Sequence, residues 1–259
     1  VDFPKKVEKE AEMKSKENNE REVEKRKDMR NTLTFTIDPD DAKDFDDAIS
    51  FSELNDNLFE VGVHIADVSY FVKEDTELDR EAKSRATSVY LVDRVIPMLP
   101  ERLSNNLCSL RPNEDKLTFS AIFKVNKKGE VKEEWFGKTV IKSNERLSYQ
   151  EAKHLIDSGS TKIPKEVSLD NKEKIVDEKL TKALSVTNEI AQTIRKKRIS
   201  TGAIIFDKTE IKFELDENKH PIEISFKKAE NANKLIEELM LLANKRVAER
   251  VKRRRTTYC

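Results

Sequence analysis

Cysteine is almost absent from this 259-residue chain: Cys108 and Cys259 are the only two. Two thiols supply no disulfide framework, and the expected compartment is a reducing cytoplasm. Net charge is missing as well. Fifty Lys and Arg balance fifty Asp and Glu, which leaves no global basic footprint for nucleic acid. Any such binding has to come from local patches and from a metal that offsets acidic side chains. No uninterrupted apolar run approaches the length of a membrane span, and no signal-peptide pattern opens the chain, so no membrane partner is expected. Nor is there an initiating Met. The sequence opens on Val1, as expected of a segment from inside a longer protein. Internal repeats are absent, and compositional bias is confined to the charged start. The length permits one large domain or two ordinary ones, with enough chain for a substantial core.

Against these absences stands one dense feature. The stretch Thr36-Ile37-Asp38-Pro39-Asp40-Asp41-Ala42-Lys43-Asp44-Phe45-Asp46-Asp47-Ala48 carries six carboxylates, with Lys43 as the only local cation. Like charges this close oppose one another's ionisation. A folded chain holds them if a cation neutralises them, if their pKa values rise, or if the loop stays in water. Hard divalent ions want oxygen ligands, and magnesium takes one or two carboxylates together with waters and substrate phosphate. The stretch therefore reads as a magnesium or manganese site. Thr34-Phe35-Thr36-Ile37 before it and Ala48-Ile49-Ser50-Phe51 after it read as strands. A rigid strand would deliver Asp38, and a second would carry Asp46 and Asp47 away. A solvated acidic turn is the plain alternative; Phe45 and the apolar flanks argue against it. An EF-hand fails outright, because the required glycine and the twelfth-position glutamate are both missing.

The rest of the chain reads as alternating blocks. Residues 5–30 are almost wholly charged and are expected to form a solvated linker helix. Strands are expected at 48–52 and 58–66, turning at Asn55-Asp56-Asn57. His64 in the second strand suits a general base, but a lone histidine in an apolar strand is more often a core residue, and that reading is preferred. Asp67 is a weaker candidate for supporting the metal site. Thr76-Glu77-Leu78-Asp79 resembles a capping box and opens a helix to about Ser88. Strands follow at 116–125 and 131–142, with a turn between them. Ser148-Tyr149-Gln150-Glu151 is a second capping box, opening a helix to about Ser158. Helical spacing then runs from about Asn171 to Arg198. Strands are expected near 204–206, 210–215 and 221–226, and a last helix over 231–252. The basic runs at Arg195–Arg198 and Lys252–Arg255 could track phosphate. Both end helices, where the macrodipole favours cations, and that reading is preferred. This order argues for an α+β fold with a largely antiparallel sheet.

The string Thr36-Ile37-Asp38-Pro39 followed by Lys43-Asp44-Phe45-Asp46-Asp47-Ala48 resembles the signature of the ribonuclease II / ribonuclease R (RNB) family. The likeness continues through Val63-His64-Ile65-Ala66-Asp67-Val68-Ser69, Arg85-Ala86-Thr87-Ser88-Val89-Tyr90-Leu91 and Ile96-Pro97-Met98-Leu99-Pro100. It extends through Leu103-Ser104-Asn105-Asn106-Leu107-Cys108-Ser109-Leu110, then Lys234-Leu235-Ile236-Glu237-Glu238 and Met240-Leu241-Leu242-Ala243-Asn244. Bacterial ribonuclease R looks the nearest branch. The resemblance implies a mixed sheet, partly barrel-like, wrapped by helices, with a narrow channel ending at the acidic loop. It implies that residues 1–30 link a preceding RNA-binding domain to a catalytic domain over 31–259, incomplete at its C-terminal end.

By the same resemblance the activity is 3′→5′ hydrolysis of single-stranded RNA to nucleoside 5′-monophosphates with Mg2+, Mn2+ being a possible substitute. Metal ions generate the attacking hydroxide and neutralise the charge of phosphodiester hydrolysis. Asp38, Asp44, Asp46 and Asp47 match the family's active-site aspartates. Asp38 and Asp47 are expected to contact metal directly, Asp46 to ligate it or orient the water, and Asp44 to bind metal or support the loop. Tyr90 and Phe206 match two aromatic clamps, since stacking grips any base without reading sequence. Tyr149 matches a tyrosine near the scissile phosphate, and Glu237 a glutamate contacting the terminal nucleotide. Single-stranded RNA is the implied partner, and no protein partner can be inferred. The likeness stops near Glu249, before the segment in which the family carries a phosphate-binding arginine. A chain lacking that charge neutralisation is expected to be weakly active or inactive alone. The competing function is a non-catalytic RNA-binding homologue, and a calcium-binding structural module is a third.

Overall fold

A computed structural model of the chain describes residues 2–17, 19–204, 209–216, 221–228 and 231–253. In chain order it forms α1 (Lys5–Ser15), α2 (Glu20–Val23), β1 (Lys27–Asp28), β2 (Leu33–Asp38), β3 (Asp47–Asn55) and β4 (Leu58–Ala66). Next come α3 (Val68–Phe71), α4 (Glu77–Arg85), the short strands β5 (Val89–Tyr90) and β6 (Val95–Ile96), and a π-helical turn at Leu103–Leu107. The long hairpin of β7 (Asp115–Asn126) and β8 (Val131–Lys142) leads into β9 (Glu145–Ser148) and α5 (Tyr149–Ser158). The remainder is β10 (Lys162–Ile163), β11 (Lys174–Ile175), α6 (Glu178–Ser200), β12 (Thr209–Leu215), β13 (Pro221–Lys228) and α7 (Asn231–Arg253).

The central sheet has seven strands in the order β1-β8-β7-β4-β3-β2-β9. Neighbours are antiparallel except at the two ends, where β1 runs parallel to β8 and β9 parallel to β2. The sheet is open. The partly barrel-like sheet that the resemblance implies stops short of a barrel: among the described residues β1 and β9 each pair on one side only and do not meet.

Alternation along the strands divides the core in two. In β2, Phe35 and Ile37 enter one cluster, while Thr34, Thr36 and Asp38 occupy the opposite face. The same holds for Ile49 against Ala48 in β3 and for Phe123 against Ile122 in β7. The larger cluster is covered by α6, whose Leu180, Ala183, Leu184, Thr187, Ile190 and Ala191 recur every three or four residues. Beside it, α7 adds Leu235, Leu239 and Ala243, and α5 adds Leu155. Burying side chains of this size contributes roughly 1.5–3 kcal/mol each. On the opposite face Val7, Ala11, Leu78 and Leu103 join Phe45 and Ile141 in the second cluster.

Several elements differ from the sequence reading. Residues 5–30 are not a solvated helix. They form two helices and a strand, with Val7 and Ala11 buried and Glu10 accepting from the Leu78 amide at 3.0 Å. The reason is a narrow apolar face that finds a remote partner in α4. Arg26 is fully enclosed: its guanidinium reaches Asp67 at 2.6 Å, Glu22 at 2.8 Å and the Thr118 carbonyl at 3.1 Å. The helix capped by Thr76 ends at Arg85, where Ala86 turns to a positive φ of 63°. The helix expected from Asn171 starts at Glu178 instead, because Lys174–Ile175 pairs with Lys162–Ile163.

Other readings hold. The Ser148 capping box is complete in both directions, and α5 stops at Gly159 in a left-handed conformation. His64 is a core residue, wholly buried, with Nδ1 at 2.6 Å from Ser120 Oγ. Burial drives its pKa down to about 3, with the Lys27 charge adding to the effect. Its ring lies over Gly62, two residues earlier on the same strand, where any side chain would collide with His64 Nε2 and Ser50 Oγ. Of the late strands, 210–215 and 221–226 lie within the β12–β13 hairpin; residues 205–208 lie outside the described residues. Among the described residues no helix is long and apolar enough to cross a membrane.

Candidate active site

β2 ends at Asp38, and its antiparallel neighbour β3 begins at Asp47. The acidic loop therefore bridges adjacent strand ends. On the other side of β2, Asp38 is in register with Ser148 of β9. That pairing sets Tyr149, the first residue of α5, one position beyond the partner of Asp38, half-buried against the larger core.

The loop backbone is pinned from two directions. Arg146 Nη2 donates to the carbonyls of Pro39 at 2.8 Å and Asp40 at 3.1 Å, and its guanidinium lies 5.1 Å from the Phe45 ring centroid. From the far side, Ser109 Oγ accepts from the Phe45 amide at 3.0 Å and donates to the Lys43 carbonyl at 3.1 Å. The Leu110 amide donates to the Phe45 carbonyl at 2.8 Å, and the Ala66 amide to the Asp46 carbonyl at 2.9 Å. Phe45 is buried in the second cluster. A loop held this way is not a solvated turn.

Its carboxylates sit in unequal surroundings. Asp38 is only 7% exposed. Burial pushes its pKa up to about 7, and Asp47 and Asp46 push the same way against the Arg146 charge. Asp47 rises to about 6, first by burial and then by Asp46. Asp46 reaches solvent, yet desolvation and Asp44 raise it too. Asp40 and Asp41 are exposed. Asp38 Oδ2 and Thr36 Oγ1 are buried without a hydrogen-bond partner. A buried acceptor left unmade costs about 1–3 kcal/mol, more if charged.

An all-oxygen donor set, crowded by like charges and ending in an unpartnered carboxylate oxygen, fits a hard divalent cation. Among the described residues no three His, Cys, Asp or Glu side chains converge to hold an ion by themselves. The fit is therefore to an ion held by few carboxylates and completed by water and substrate oxygens, as magnesium favours.

The other sequence candidates fall in different places. Tyr90, on the β5–β6 hairpin, is brought to the loop: its hydroxyl donates to Asp44 Oδ2 at 3.2 Å while the residue stays 67% exposed. Asp44 is thus engaged by the tyrosine. Glu237 on α7 is half-exposed, with its carboxylate 3.6 Å from Arg195 and from Arg198. Those arginines clamp the buried Glu238, so their first task is to join α6 to α7. Phe206 lies outside the described residues. Asp67 serves Arg26 and Ser69 rather than the loop. Sequence reasoning passed over Arg146 and Ser109. Nothing local shows that either reaches the loop: Arg146 is placed there by the parallel register of β9 with β2, and Ser109 lies far from the loop in sequence.

The model of the RNB domain matches residues 26–258. The chain belongs to the RNB family. The RNB match takes in β1, the whole central sheet, the acidic loop and the described part of α7. The chain is 46% identical over 242 residues to DIS3-like exonuclease 2 of Schizosaccharomyces pombe, covering 89% of this chain and 25% of that protein. It is 44% identical over 239 residues to ribonuclease R 2 of Lactococcus lactis, covering 92% of this chain and 35% of that one. RNase R of Mycoplasma genitalium, solved in complex with ribose-methylated single-stranded RNA, superimposes with a TM-score of 0.87 at 30% identity, covering 98% of this chain and 38% of that one. The chain thus spans a quarter to a little over a third of these relatives. The RNB relatives also include an Arabidopsis thaliana protein named inactive exonuclease DIS3L2, 43% identical over 232 residues, so family membership alone does not establish catalysis.

Proposed function

We propose that this chain is the acidic-loop part of a 3′→5′ exoribonuclease that hydrolyses single-stranded RNA to nucleoside 5′-monophosphates with Mg2+. The observation that carries this reading is the pair Asp38 and Asp47. They stand at the ends of neighbouring strands, both carboxyls are shifted upward, and one Asp38 oxygen is unpartnered. Asp38 and Asp47 would hold the ion, with Mn2+ able to replace Mg2+. Bound there, it would lower the pKa of a water and neutralise charge developing on the phosphate. Asp46, the solvent-facing carboxylate, orients that water. Asp44 acts through Tyr90, whose exposed ring offers a stacking face at about 1–3 kcal/mol per base. Tyr149 stands beside the scissile phosphate, and Glu237 meets the terminal nucleotide by turning from Arg195 and Arg198. Phe206 supplies the second stacking face.

Support comes from the intact set of four aspartates, the family, and the RNA held by the M. genitalium relative. The test is Asp46→Asn in the full-length parent, assayed for cleavage and binding of a single-stranded oligoribonucleotide. Cleavage is expected to fall by two or more orders of magnitude, on the scale of losing a general base, with binding retained. Unchanged cleavage would remove Asp46 from the chemistry. A parent that binds RNA and never cleaves it would establish the non-catalytic reading.

A further inference from the structure

Loop-pinning contacts around the acidic residues come from Ser109 and Leu110 on one side, from the Ala66 amide at the end of β4, and from β9. The β9 contact is a guanidinium. Arg146 comes from β9, where it is in register with Thr36 two residues before the end of β2. From there it donates to two consecutive backbone carbonyls of the loop, those of Pro39 and Asp40, and lies against Phe45. The Pro39 carbonyl also accepts from the Ala42 amide at 3.1 Å, so Arg146 grips the carbonyl that closes the loop's own turn. Arg146 thereby bridges both halves of the loop: the half that leaves Asp38 and the half that leads through Phe45 to Asp46 and Asp47. A planar guanidinium can donate in its plane while stacking its face on an aromatic ring; an ammonium is a point charge without that face.

We propose, resting on the metal reading above, that Arg146 is a positioning residue: it fixes the Pro39–Phe45 backbone so that Asp38 and Asp47 face one cation, while placing a positive charge at the foot of the loop. It touches neither substrate nor ion. Its contribution is to hold the loop in the cation-ready arrangement before the cation arrives. Groups that orient metal ligands in this way change metal affinity by about 10- to 100-fold when removed.

The experiment compares the wild-type chain with Arg146→Met, which keeps the apolar stem, and Arg146→Lys, which keeps the charge. Mn2+ binding is measured by calorimetry, and amide hydrogen exchange is followed in metal-free protein. Arg146→Met is expected to weaken Mn2+ binding by about 10- to 100-fold, with Arg146→Lys in between. Exchange is expected to speed up in residues 40–46 while β4 and β7 keep wild-type protection. Wild-type Mn2+ affinity in Arg146→Met would overturn the proposal. So would exchange that is unchanged, or that rises equally across the sheet, which is the mark of a general structural role. Failure of the metal reading looks different. The wild-type chain then takes up no Mn2+, and the metal-free exchange pattern alone decides whether Arg146 holds the loop.

Discussion

Two buried titratable residues of the central sheet, Asp38 on β2 and His64 on β4, meet opposite fates. Asp38 is surrounded by carboxylates and has an oxygen with no partner, which suits a group waiting for a cation. His64 is buried as a neutral ring against Ser120, with its pKa near 3 instead of 6.5. In the unfolded chain His64 binds a proton below about pH 6.5; in the folded chain it does not until about pH 3. Protons therefore favour unfolding across that window, and the His64 contribution to stability is lost as pH falls. Replacing it with Gln is expected to flatten the acid limb of the urea-unfolding free energy, by up to about 1.4 kcal/mol per pH unit between pH 6 and 4. An identical slope in the variant would show that His64 is already solvated. The aspartates were legible in sequence because clustered like charge between strand-forming residues is a local pattern. Arg146 and Ser109 were not, since each acts on the loop through a contact made only on folding.

Elements whose signal is local came through with little change. The strand at 131–142 and the Ser148 box are where sequence places them, because alternation and capping depend on near neighbours. The N-terminal segment is the contrary case. Val7 and Ala11 are two apolar points in a field of charge, and the apolar surface that receives them comes from α4 and Leu103. Arg26 likewise reads as one more solvated cation but is enclosed with Asp67, whose carboxyl is held below the ordinary range; Ser69 and Arg26 outweigh the burial that would raise it. Removing one partner of an enclosed ion pair costs about 3–5 kcal/mol, because the other charge stays buried alone. Arg26→Ala is expected to lose that much in chemical denaturation, with Arg26→Ala/Asp67→Asn losing less. Equal losses in the single and double variants would contradict the pairing.

Across the whole molecule, an open sheet with helices on both faces presents the acidic loop at the strand ends, with the exposed Tyr90 ring beside it. Net neutrality is consistent with this local design, and basic side chains such as Arg195 and Arg198 are engaged by Glu238. Tyr90→Ala is expected to leave folding intact and weaken single-stranded RNA binding by about 1–3 kcal/mol, measured by fluorescence anisotropy; unchanged affinity would remove Tyr90 from the RNA surface. The overall α+β class and the antiparallel body of the sheet were legible from the order of blocks, whereas closure was not, because it depends on which short strands end up at the edges. The central claim is that Asp38 and Asp47 hold a divalent ion together. Anomalous diffraction from crystals soaked in Mn2+ tests it directly. One peak is expected between these two residues, at the roughly 2 Å from their carboxylate oxygens that direct coordination of a magnesium-like ion requires. A map with no peak there, in crystals whose soak solution holds saturating Mn2+, would contradict it.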